Sequence, residues 1–167
     1  MSGNLKVTYI CVTFKLPIMS KSIQHKLFYS HSPEVVWEYL TRAELISQWL
    51  METDFQPIVG YDFQFRTKPL PNFNFDGIVY CKVVEVIPLK KLSYSWKGGP
   101  GNGKITLDSI VVWTLTAKDN GTEVLLNHNG FNETDISMYA IMKEGWLKIM
   151  HKIAELINTA THGTTNP

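Results

Sequence analysis

His128 is the residue whose type and place could most directly do chemistry. It follows Val124 and Leu126 at alternate positions, on the apolar side of a strand, where an imidazole could anchor a ligand or move a proton near neutral pH. The commoner occupant of such a place is a histidine at the core edge, hydrogen-bonded to backbone. A reaction would need a second polar group beside it, and the sequence offers Asp62 or Glu85. Those two, like Asp108, are single carboxylates on strands without paired spacing. His25, His31, His151 and His162 have no neighbours at metal-ligand spacing, so no metal site is expected. The segment Gly98-Gly99-Pro100-Gly101-Asn102-Gly103 matches a phosphate loop in composition only, because no Lys-Ser/Thr pair and no helix follow it. It reads as a flexible loop. No Gly-x-Ser-x-Gly elbow and no Cys/His nucleophile set is present. No catalytic residue and no cofactor are expected.

A second group of residues points to binding. Phe63, Phe65, Tyr94, Trp96 and Trp113 fall on inward-facing strand positions, and Met142, Trp146 and Met150 on one face of a helix. Any one such ring is more often core filler. Together with His128, however, they form the candidate wall of an apolar pocket for a hydrophobic or amphipathic small molecule. Met138, Met142 and Met150 suit a wall that adapts its shape. Gly145 lies inside the helix and reads as a point of close contact with a neighbouring strand or ring, or as room for a ligand.

Composition narrows the classes further. At 167 residues the chain suits one domain with a sizeable core. The expected division is an extension over residues 1–18, a domain over 19–160 and a polar tail over 161–167. A net charge of +1 without a basic cluster argues against nucleic-acid binding through bulk charge. The two cysteines, Cys11 and Cys81, are too few for a disulfide framework. They suit a reducing, cytoplasmic setting. No uncharged apolar run reaches membrane-spanning length. Val7 to Phe14 is β-prone rather than a secretory signal, since Lys15 interrupts it and no small-residue cleavage site follows. Met19 is then a candidate natural start. Asn132-Glu133-Thr134 fits a glycosylation acceptor by chance.

The elements that must position these residues follow from periodicity. Apolar residues at Tyr139, Met142, Trp146, Ile149, Met150, Ile153, Leu156 and Ile157 predict a helix over Ile136 to Asn158, about 35 Å long, with one apolar stripe. Before it lie a strand from Ile23 to Ser30 and a helix opened by Ser32-Pro33-Glu34, with Ser32 as cap and Val36, Trp37 and Leu40 inward. Thr41 ends that helix or caps the next, a short helix from Ala43 to Leu50. Strands are predicted at 61–66, 75–87 (with Gly77 a bulge or close-approach point), 92–96, 108–117 and 122–129, the last two joined by a turn at Asp119-Asn120-Gly121. The segment from Pro69 to Asn74 reads as a loop. The expected fold class is α+β, a curved antiparallel sheet wrapped around one long C-terminal helix.

That order, and the strings Ser32-Pro33-Glu34-Val35-Val36-Trp37, Gln48-Trp49-Leu50, Val83-Val84-Glu85-Val86-Ile87-Pro88, Leu92-Ser93-Tyr94-Ser95-Trp96, Gly121-Thr122-Glu123-Val124, His128-Asn129-Gly130-Phe131 and Gly145-Trp146, resemble the helix-grip superfamily. This superfamily is also called START-like or SRPBCC and includes the Bet v fold. Within it the chain is most similar to the family named after the C-terminal domain of the activator of heat shock protein 90 ATPase, over about residues 21 to 158. Leu89 departs from that pattern, in which the proline is often doubled. The resemblance implies a hydrophobic ligand between sheet and helix, a chaperone partner, or a cyclase- or hydrolase-type activity. The co-chaperone for which the family is named also has a separate N-terminal domain, which these 167 residues do not include.

Overall fold

The computed structural model describes residues 20–162; the expectations for residues 1–19, including the extension, Cys11 and the Met19 start, and for 163–167 lie outside the described residues. Strand β1 (Lys21–Tyr29) leads into helices α1 (Pro33–Thr41) and α2 (Ala43–Trp49). A two-residue strand β2 (Glu52–Thr53), β3 (Asp62–Arg66), β4 (Ile78–Ile87), β5 (Lys91–Gly98), β6 (Leu107–Lys118) and β7 (Gly121–Phe131) follow. Helix α3 runs Ile136–His162, past the end that the apolar stripe alone would give it. The strands form one open sheet in the order β1-β7-β6-β5-β4-β3-β2, with every neighbouring pair antiparallel.

Alternation decides what faces inward. Phe63 and Phe65 of β3, Val79, Cys81 and Val83 of β4, and Tyr94 and Trp96 of β5 are buried. They share the core with Val111 and Trp113 of β6 and with Val124, Leu126 and His128 of β7. On α3, Trp146, Met150, Ile153 and Ile157 are buried, a three-and-four spacing that seats the helix on that face. Helices α1 and α2 close one side through Val36, Leu40, Ile46 and Trp49, while Trp37 is only half-buried. The Trp49 indole donates to the Tyr39 carbonyl at 3.0 Å and locks the two helices together.

Local chemistry differs from expectation at several places. Ser32 stands at the α1 N-cap, but its side chain makes no capping bond; its hydroxyl meets Glu34 instead and holds that carboxyl below its ordinary range. Thr41 ends α1 by donating back to the Trp37 carbonyl at 2.7 Å, and Arg42 takes the position between the helices. Asn132 serves as a cap. Its side chain accepts the Asp135 N–H while its own N–H donates to Asp135 Oδ2 at 2.8 Å, a reciprocal pair that starts the turn leading into α3. Gly77 takes φ +92, and a Cβ there would lie 2.4 Å from the Thr67 carbonyl oxygen, so it is a close-approach point that delays β4 to Ile78. Leu89 turns the chain between β4 and β5 at φ 64, an angle closed to proline. Gly145 is not a point of close contact, since a Cβ built there meets nothing within 4 Å, and it is not among the residues that line the cavity described below.

Two glycine substitutions should therefore act in opposite directions. Gly145→Ala is expected to raise the unfolding free energy by about 0.5–1 kcal/mol, because space is free and alanine favours helix. Gly77→Ala should lower it by about 2 kcal/mol or more through strained backbone and collision. Urea titration of both proteins checks the signs.

Candidate functional site

The sheet and α3 part at one end. From Ile136 to Gly145 no residue of α3 is buried, and the buried positions begin at Trp146. Beneath the lifted half lies a cavity of about 250 Å³. Its floor comes from Val79 of β4, Trp96 and Gly98 of β5, Gly99 and Leu107. Its roof is Met138, Ile141 and Met142 of α3, and Met51 closes one side.

The remaining wall is the segment between β3 and β4. Leu70 and Phe75 exchange backbone hydrogen bonds at 2.8 and 3.3 Å, a single turn spans Pro71–Phe73, and Asn74 takes φ 50. This small hairpin turns Phe75 against the strand, where a Cβ on Gly98 would stand 3.6 Å from its ring. The glycine segment is more ordered than expected. Gly98 is the last paired residue of β5, Thr106 N–H donates to the Gly98 carbonyl at 2.9 Å, and Asp76 N–H to that of Gly99 at 2.9 Å. At Gly99 a Cβ would lie 2.1 Å from the Lys104 carbonyl oxygen, so the backbones cross there and leave bare main chain on the cavity wall.

Of the nine candidate binding residues, Trp96 and Met142 line this cavity. The other seven stand behind the wall. Phe63 packs on Phe65 and Tyr94 at ring separations of 5.4 and 5.6 Å, and Phe65 on Trp96 at 5.5 Å. Trp113 donates its indole N–H to the Tyr94 hydroxyl at 3.1 Å. Burial raises the Tyr94 phenol and the Cys81 thiol well above their ordinary values. Met150 is buried, and its carbonyl accepts the Tyr29 hydroxyl at 2.7 Å.

His128 is buried between Trp96, Phe131 and Trp146. The Trp146 indole N–H donates to His128 Nδ1 at 2.9 Å. An indole can only donate, so Nδ1 carries no proton and Nε2 does. Nε2–H then donates to Ser109 Oγ at 2.8 Å, and the Ser109 hydroxyl to the Trp96 carbonyl at 2.9 Å. Burial pushes the imidazole down to about 3, so it is neutral near pH 7. Asp62 pairs with Lys82 at 3.1 Å and Glu85 with Lys91 at 2.7 Å, so neither carboxylate partners the histidine. Among the described residues no group of His, Cys, Asp and Glu is placed to hold a metal ion.

Sequence reasoning did not single out Leu70, Phe73, Phe75, Met51, Ile141 or Leu107 for the site. Three large apolar residues within a short proline- and asparagine-bearing loop were the available signal. Alternation with Val111 marks Ser109 as an inward hydroxyl, but nothing in the sequence marks it as the partner of His128.

The family described as Activator of Hsp90 ATPase homolog 1-like protein matches residues 30–158. Protein MLL2253 from Mesorhizobium loti is 32% identical, with a TM-score of 0.75, over 83% of this chain and 98% of that one. CalU16 from Micromonospora echinospora is 20% identical, with a TM-score of 0.66, over 86% of this chain and 80% of that one. The Aha1 dimer from Colwellia psychrerythraea is 22% identical, with a TM-score of 0.66, over 82% and 96%. The last two likenesses show the fold alone. No curated protein matches the chain.

The buried imidazole predicts a particular acid response. Its folded value lies below the unfolded one, so the stability gained by keeping it neutral is fully present above about pH 6.5 and drains as pH falls toward about 3. The slope approaches about 1.4 kcal/mol per pH unit. Urea titrations at pH 6.5 and 5 should show this loss, and a His128→Gln protein, less stable at neutral pH, should lack it.

Proposed function

We propose that this chain, which belongs to the Activator of Hsp90 ATPase homolog 1-like family, binds an apolar or amphipathic small molecule beneath the N-terminal half of α3. One observation carries the reading: the cavity of about 250 Å³ is walled by three methionines, aromatic and aliphatic side chains and bare main chain, with no ionisable group among its lining residues. Apolar concavities of this kind are the usual small-molecule sites. Neighbouring methionines let a wall adjust to its guest. The same wall supplies no acid, base or nucleophile, so its chemistry supports holding a molecule rather than transforming it.

A co-chaperone role toward heat shock protein 90 is the second reading, and the family match over residues 30–158 favours it. It would place the working surface outside the cavity. Adding the protein to the cognate chaperone and measuring ATP turnover tests it, and an unaltered rate removes it. No helix among the described residues is long and apolar enough to cross a membrane.

Two substitutions separate wall from core. Met142→Trp, on the half-buried roof, should fill the cavity and weaken uptake of octan-1-ol by about tenfold or more. Trp146→Phe strips His128 Nδ1 of its donor, so it should cost about 1–3 kcal/mol of stability while leaving uptake unchanged. Isothermal titration and urea unfolding read the two effects. Undiminished uptake by Met142→Trp would refute the cavity as the site.

A further inference from the structure

We infer that the ligand is uncharged, with an apolar body of about ten carbons and one neutral hydrogen-bonding group, a hydroxyl or carbonyl, held at the mouth. This ligand class presupposes that the cavity is a binding site. Size follows from comparison: an apolar cavity of roughly 150 Å³ holds benzene, with its six carbons, so about 250 Å³ holds about ten.

Charge follows from how the lining is graded. The deepest residues, Val79, Trp96, Gly98, Gly99 and Leu107, are all buried, and none offers an ionic partner. An ion placed there would lose its hydration with nothing in return. Besides the indole N–H of Trp96, a neutral donor on the floor, the polar side chains of the lining are Thr67, Asn74 and Thr106, all neutral and all exposed. They therefore mark the mouth, where they alternate with the exposed apolar groups of Leu70, Phe73 and Ile141. The Thr106 hydroxyl already leans on the Gly98 carbonyl at 3.4 Å. Thr67 and Asn74 are the ones left to receive a head group.

The charges of the neighbouring cleft do not overturn this. An open cleft beside the cavity shares Met51 and Thr67 with it and carries Glu52, Arg66 and Lys68. Arg66 already faces Asp54 at 3.5 Å. Glu52 and Lys68 are of opposite sign, so a charged head reaching the cleft would meet attraction and repulsion together. Neutral hydrogen-bonding partners at the rim and opposed charges in the cleft select against both kinds of ion.

Isothermal titration of the whole chain at pH 7 with octan-1-ol, octanoate and octylammonium tests the inference. Octan-1-ol should bind at least about tenfold more tightly than either ion. The double change Thr67→Val with Asn74→Gly, glycine keeping the φ 50 that Asn74 adopts, should weaken octan-1-ol about two- to fivefold, the scale of one net hydrogen bond, with little change in Tm. Octanoate or octylammonium binding as tightly as octan-1-ol would overturn the neutral class and leave the cavity reading standing. An unchanged affinity in the double variant would overturn the head-group seat. Absence of binding by all three probes would overturn the ligand class and the cavity reading together.

Discussion

The fold turns on a directed run of hydrogen bonds through its interior. The indole of Trp146 donates a hydrogen bond to His128, His128 donates one to Ser109, and Ser109 donates one to the main-chain carbonyl of Trp96. Four residues on α3, β7, β6 and β5 are thereby fixed to one another by groups that tolerate only one arrangement of protons. In a dry interior a donor or acceptor left unmatched is expensive. The run therefore selects one seating of the helix on the sheet rather than merely adding to adhesion. Among the described residues no buried side-chain nitrogen or oxygen lacks a partner, so this selection carries no penalty of unmatched groups.

The cavity is the other face of the same constraint. Trp146 is where α3 first becomes buried, and everything before it is held by lighter means. Tyr139 packs its ring on Phe131 at 5.4 Å and reaches the Ser22 carbonyl at 3.3 Å, while His25 meets the Lys143 carbonyl at 2.8 Å. These ties run to the β1 side of the helix. On the opposite side, among the described residues, Met138, Ile141 and Met142 from above and Met51 and the β3–β4 hairpin from the flank border the angle between helix and sheet. A helix fastened hard along one half and on one edge, over a sheet whose strands continue beneath it, leaves a wedge of space. Its position is thus a geometric result of where the anchors stop.

This also explains what could be read from the sequence. Six of the seven strands, the two short helices and the long one were legible, because Phe63 and Phe65, Leu92 to Trp96 and the spacing from Trp146 to Ile157 announce their own periods, whereas the two residues of β2 are too few to show one. The inward setting of His128 followed from alternation alone. Its partners did not, since Ser109 and Trp146 meet it only after three elements have packed. The distinction between rings that fill the core and rings that face the cavity was equally hidden: Tyr94 and Trp96 lie on the same face of the same strand, and the wedge reaches only one of them. The β3–β4 hairpin looked like an ordinary loop because its apolar residues carry no period. At Leu89 the local sequence was informative in a different way. A second proline could not have taken φ 64, so the departure from the family pattern goes with a turn of another shape.

The placement of β1 has a consequence for synthesis. Among the described residues this first strand pairs with β7 alone, Ile23 lying opposite His128 and Lys21 opposite Phe131. Its proper neighbour leaves the ribosome about a hundred residues after it does, a separation that makes closure slow. While the nascent chain grows, the meander from β3 to β7 can assemble from contiguous hairpins, but β1 waits unpaired. The joining of β1 to β7 must wait for residues made about a hundred positions later, and until then the edge of β1 is open to unwanted pairing.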